Sequence, residues 1–207
     1  MDSNSKYIRF RKLWTVKDSA RRRCYTQKQL QKFITNLKAE SVKSCVINVG
    51  ANDVNRQTGR QVFADIKKNV ETLKTKYPDI KIILAELTPR KDAKDSHINT
   101  CNQLINEWAP GQDNIVIANH ANLREDKNRF LEDNKHVARK QIGTFVVNLK
   151  RALCEAYGKT YMGKADYARA ETERAAGANE SRVDLTTADN NNIDNSRNSE
   201  DNSVSTS

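Results

Sequence analysis

The chain has 207 residues, of which 30% are charged and 37% hydrophobic, and its formal net charge is +10. That length accommodates one domain of ordinary size with a tail. No apolar run reaches membrane length and no signal-peptide pattern opens the chain. The expectation is therefore an intracellular protein, cytoplasmic rather than secreted, with no membrane partner. The charge is uneven: residues 164–207 carry 5 basic and 9 acidic side chains, and the remainder 31 basic against 17 acidic, a net of +14. A basic body is compatible with nucleic acid or another anionic partner, although scattered lysines more often form only a solvated face. Cys24, Cys45, Cys101 and Cys154 are far apart, with no paired spacing, which argues for free thiols and against a zinc site.

In chain order, residues 5–16 mix basic and apolar side chains and are expected to form a short helix, with a short strand over 21–24. Thr26-Gln27-Lys28-Gln29 has the form of a capping box. Leu30, Phe33, Ile34 and Leu37 follow at helical spacing, predicting a helix from about Gln27 to Lys38. Ser44–Val49 is apolar and rich in β-branched residues, as in a buried strand, and it breaks at Gly50-Ala51-Asn52-Asp53. In open α/β sheets chemistry gathers outside the carboxyl ends of the strands, where an amide can aim its NH₂ at an oxygen. Residues of this kind also make ordinary turns. Thr58–Gln61 is a second capping box, opening a long amphipathic helix through Val62, Phe63, Ile66, Val70 and Leu73 that stops at Tyr77-Pro78.

Lys81–Leu87 predicts a second buried strand, ended by Thr88-Pro89-Arg90. A helix carrying Ile98, Cys101, Leu104, Ile105 and Trp108 breaks at Pro110-Gly111, and Asn114–Ala118 predicts a third strand. A polar loop with Leu123, Phe130 and Leu131 leads to Asp133-Asn134-Lys135-His136. A last helix, about Arg139 to Ala156, presents Ile142, Phe145, Val146, Leu149 and Leu153 on one face. Strands alternating with helices predict an α/β fold: a flavodoxin-like, three-layer α/β/α domain with a parallel sheet over residues 1–160. Residues 161–207 are polar, with isolated apolar side chains, and are expected to form a disordered tail.

The blocks Gly50-Ala51-Asn52-Asp53 after a strand and Asp133-Asn134-Lys135-His136 before the last helix resemble those of the SGNH (GDSL-type) hydrolases. Asp2-Ser3-Asn4 is similar to that family's Gly-Asp-Ser-Asn nucleophile block, with Met1 in place of the glycine. Leu87-Thr88-Pro89-Arg90-Lys91-Asp92 and Asn148–Leu153 resemble a divergent SGNH group associated with animal genomes and transposable-element reading frames. The resemblance spans roughly residues 1–157. It implies an esterase with Ser3 as nucleophile, His136 as base, Asp133 orienting His136, and Asn52 with the Ser3 N–H forming the oxyanion hole. It implies a small-molecule ester substrate and neither metal nor organic cofactor. Asp53 is expected to hold its loop rather than to react.

Taken singly, these residues have plainer roles: Ser3 as a chain-end residue, Asp133 as a cap, His136 as a surface side chain. His97 and His120 have no partner block and are expected at the surface or in loops. The sequence also departs from the family pattern. The strand that would precede Ser3 at the centre of the sheet is not in the chain, and no glycine matches the family's separate oxyanion block. These departures lead to the expectation that the chain is truncated, and to an alternative: a non-catalytic module of the same fold that holds nucleic acid or another anion on its basic surface.

Overall fold

The computed structural model describes residues 22–123 and 133–163. The chain divides into two compact units, Met1–Tyr161 and Met162–Ser207, and every element below belongs to the first. The expected helix over 5–16, the candidate nucleophile Ser3 and the polar sequence beyond 163 lie outside the described residues.

Helix α1, Gln27–Asn36, starts where the Thr26 hydroxyl accepts the Gln29 N–H. The Gln29 side chain accepts from the Tyr25 N–H at 2.7 Å, one residue before the position a full capping box would use. Strand β1 is Ser44–Ile47. Helix α2, Gly59–Lys76, does open with the reciprocal box: Thr58 accepts from the Gln61 N–H, and the Gln61 side chain accepts from the Thr58 N–H. Strand β2 is Lys81–Ala85 and helix α3 Asp95–Trp108. Strand β3 is Ile115–Ala118. Helix α4, Ile142–Ala156, follows a single 3₁₀ turn over Arg139–Gln141.

The sheet is parallel in the order β1-β2-β3, with Ile47 opposite Leu84 and Leu84 opposite Ile117. Side chains alternate between its faces, as the pleat requires. Ile47, Ile82 and Leu84 pack with Leu30 and Ile34 of α1, Val62, Ile66 and Val70 of α2, and Ile98 and Ile105 of α3. Ile83, Ala85 and Ala118 pack with Phe145, Leu149 and Ala152 of α4. The result is a three-layer α/β/α fold with helices on both faces. Helices α2 and α3 lie close because Gly59 has no side chain; a Cβ there would overlap the carbonyl oxygen of His97.

Two strands end earlier than their apolar runs, and side-chain amides explain both. The Val49 carbonyl accepts from Gln27 Nε2 at 2.7 Å instead of continuing the β1 ladder. Leu87 exchanges two bonds with Asn102, its N–H donating to Oδ1 at 2.8 Å and its carbonyl accepting from Nδ2 at 3.0 Å. The strand expected over 21–24 is not formed by its described residues, 22–24. Cys24 enters the core alone, and at Tyr25 the N–H and carbonyl are taken by the side chains of Gln29 and Asn52 rather than by a neighbouring strand.

Candidate active site

Because the three strands are parallel, the loops after β1, β2 and β3 leave from one edge of the sheet. Asn52 lies in the first of these loops. The turn into it depends on Gly50, whose φ of +129° disfavours any side chain, and whose missing Cβ leaves room for Leu87 and Gln27. Asp53 accepts the N–H of Gln27 at 3.0 Å, tying the loop to the first residue of α1. Burial raises the Asp53 carboxyl above its ordinary range. Val54 is fully buried, and its carbonyl meets His97 Nδ1 at 3.2 Å.

The Asn52 amide is oriented at both ends. Nδ2 donates to the Tyr25 carbonyl at 2.9 Å, and Oδ1 accepts from Arg90 Nη1. A guanidinium can only donate and a carbonyl can only accept, so these two partners fix which end of the amide is which. The second Nδ2 hydrogen has no partner among the described residues.

Arg90, in the loop after β2, is 5% exposed. It forms a two-pronged pair with Asp92, Nε to Oδ1 at 2.8 Å and Nη2 to Oδ2 at 2.7 Å. This pairing holds the Asp92 carboxyl below the usual carboxylate range. Asp92 also meets Asn55 Nδ2 at 3.5 Å and Lys135 Nζ at 3.8 Å. Sequence reading gave Arg90 no role. Its signals there were membership of the Leu87–Asp92 block and an Arg-x-Asp spacing directly behind a buried strand.

The second arm is the loop 133–137. Asn134 adopts a left-handed φ of 64°, which asparagine tolerates, and the chain turns back on itself. Asp133 Oδ1 then accepts the N–H groups of Lys135 and His136 at 3.2 and 2.9 Å, while Oδ2 meets His136 Nδ1 at 2.7 Å. The hydrogen bond from His136 holds Asp133 down to about 2. A carboxylate acceptor places the imidazole proton on Nδ1, so the basic lone pair falls on Nε2. Val137, fully buried, pins the loop, and the Lys91 N–H donates to the Asn134 carbonyl at 2.8 Å.

Asn52 is thus linked to the His136 loop through Arg90, Lys91 and Asp92. Ser3 lies outside the described residues. His120, expected at the surface or in a loop, is in a loop but fully buried, stacked on Phe145 with ring centroids 4.6 Å apart and 3.0 Å from Asn148 Nδ2. Burial pushes the Cys45 thiol up to about 11 and that of Cys101 to about 12, so neither is an activated nucleophile. Among the described residues no cluster of His, Cys, Asp and Glu could hold a metal, and no helix is long and apolar enough to cross a membrane.

No protein-family model and no curated protein matches the chain. Among solved structures, a protein from Streptococcus pneumonia named provisionally as a platelet activating factor matches with a TM-score of 0.55 at 16% identity, over 74% of this chain and 79% of that one. A carbohydrate esterase family 3 structure from Talaromyces cellulolyticus matches with a TM-score of 0.49 at 18% identity, over 61% of this chain and 63% of that one. The first of these likenesses is one of fold, and it agrees with the layers and the parallel sheet described above.

Proposed function

We infer that the chain is an SGNH-type serine hydrolase domain acting on a small ester. The observation that carries this reading is the Asp133–His136 pair at 2.7 Å, its tautomer fixed, tethered to the loop after β2 that also holds Asn52. The family motifs and the fold likeness support it. In this reading Ser3 Oγ attacks the ester carbonyl carbon while His136 Nε2 takes the hydroxyl proton. The tetrahedral oxyanion accepts hydrogen bonds from Asn52 Nδ2 and the Ser3 N–H. Collapse breaks the bond to the alcohol oxygen, which leaves with the proton from His136. A water then releases the acid by the same steps in reverse. Asp133 keeps the imidazole oriented and stabilises its charged form.

The test is hydrolysis of short p-nitrophenyl esters by the full chain. Turnover lost by about 10³-fold or more in both Ser3→Ala and His136→Ala supports the reading, because members of such a unit fail together. Turnover that survives Ser3→Ala overturns Ser3 as nucleophile and moves the search to Ser5 and Ser19. The excess of basic residues outside 164–207 favours a second reading, a binding module for nucleic acid or another anion. Absence of turnover together with polyanion binding that weakens steeply with salt would establish it in place of the first.

A further inference from the structure

We propose that Arg90 is the positioning residue for the oxyanion donor, holding the Asn52 amide so that its second N–H is presented at the reacting carbonyl oxygen. The inference rests on the hydrolase reading above for what that N–H serves, and on the structure alone for how it is held.

Arg90 Nη1 donates to Asn52 Oδ1, while Nε and Nη2 are both consumed by Asp92 at 2.8 and 2.7 Å. The guanidinium is planar and rigid, so locking one edge on Asp92 fixes the direction of the remaining donor. A cation on the amide oxygen also draws density from the amide nitrogen, making its N–H groups stronger donors. One of those N–H groups is spent on the Tyr25 carbonyl at 2.9 Å, which sets the plane of the amide and thereby the direction of the other.

The same strap reaches the second arm of the site. Asp92 Oδ2 lies 3.8 Å from Lys135 Nζ, and the Lys91 N–H donates to the Asn134 carbonyl at 2.8 Å. Lys135 and Asn134 lie between Asp133 and His136 in the chain. One buried cation therefore fixes the oxyanion donor directly and is joined, through its immediate neighbours, to the loop carrying the base. Arg90 is a positioning residue, not a catalytic one, since it reaches the oxyanion only through Asn52.

The experiment uses the full chain, labelled with nitrogen-15, as wild type, Arg90→Met, Arg90→Lys, Asn52→Ala and the double variant Arg90→Met with Asn52→Ala. The Asn52 side-chain NH₂ signals are assigned by their loss in Asn52→Ala. The proposal expects them to be displaced from free-amide values in the wild type and to collapse toward those values in Arg90→Met. Arg90→Lys, which keeps the charge but cannot hold Asp92 and Asn52 in one fork, should fall between, and it decides the matter if Arg90→Met does not fold. Saturation kinetics of inactivation by a fluorophosphonate give the second readout. The limiting rate should fall about 10²-fold in Arg90→Met, as for loss of an oxyanion donor, with half-saturation nearly unchanged. The double variant should be no slower than Asn52→Ala alone. Unchanged Asn52 signals in Arg90→Met, or losses that multiply in the double variant, overturn the proposal. If the wild type is not inactivated at all, the hydrolase reading fails, and the amide signals still decide how Asn52 is held.

Discussion

Between Gly50 and Asn55 the chain is anchored by the core, whereas between Asp133 and His136 the turn is closed by its own carboxylate and reaches the core through Val137. The first loop has buried backbone at Gly50, Ala51 and Val54, a carboxylate bonded to the start of α1, and an amide clamped by a buried arginine. In the second, the Asp133 side chain is 51% exposed, and three of its hydrogen bonds run to the two residues after Asn134. On the proposed hydrolase reading, the difference separates two demands of the site. An oxyanion donor has to stay still and gains from being built into the core. A general base has to exchange protons at the surface, and a short turn closed by its own carboxylate suffices to aim it. Damage to the anchors of the first loop should therefore register as lost stability, and damage to the second loop as lost chemistry.

The largest effect on stability should come from Gln27→Ala, at about 2–4 kcal/mol by urea denaturation. It orphans the buried Val49 carbonyl, at about 1–3 kcal/mol, and removes the bond from Asn69 Nδ2 to Gln27 Oε1 at 2.8 Å, worth about 1 kcal/mol, while leaving that amide its bond to the Gln27 carbonyl at 3.2 Å. Gly50→Ala should follow, at about 1–3 kcal/mol, from its left-handed φ and a Cβ only 3.0 Å from Leu87. Asp133→Asn and His136→Ala should cost about 1 kcal/mol or less, in the range of changes away from the core, while removing nearly all ester turnover. A loss above about 3 kcal/mol for His136→Ala would break the contrast between the loops.

The smallest expected effect is on pH dependence, and the two loops should respond with opposite sign. Asp133 is held down to about 2 against an ordinary 3.8, so the folded chain binds fewer protons there than the unfolded one. Its contribution is complete above the ordinary value and is lost as pH falls through about 2. At Asp53 the folded pKa is raised by burial, so acidification relieves a penalty, beginning above its ordinary 3.8. Melting curves between pH 6 and 2 should show wild type losing stability relative to Asp133→Asn toward acid and gaining it relative to Asp53→Asn; trends of the same sign would contradict this account.

Much of the fold was legible in the sequence because it rests on periodicity. The apolar stripes of α1 to α4 and the three β-branched runs each have one reading once their lengths and flanking residues are weighed. Strand ends were less legible because side chains far away in sequence set them: Gln27 stops β1 and Asn102 holds the backbone just beyond β2. Buried amides on an otherwise apolar face, such as Asn69, Asn102 and Asn148, interrupt the stripe and give no sign of their partners. Asn52, Asp133 and His136 stood out because their spacing matched a known pattern. Arg90 lay in a resembling block too, but its role was not legible, since that lies in a contact with a residue 38 positions away. The loop position of His120 was legible but its burial was not, since that depends on the stacking face of Phe145 and on Asn148 in α4.

The most direct test of the central claim is to map, by mass spectrometry, the residue that a fluorophosphonate modifies on the full chain. The account predicts a single adduct on Ser3 that disappears in His136→Ala and is slowed about 10²-fold in Asn52→Ala. An adduct on any other residue, or a Ser3 adduct formed equally well without His136, would contradict it.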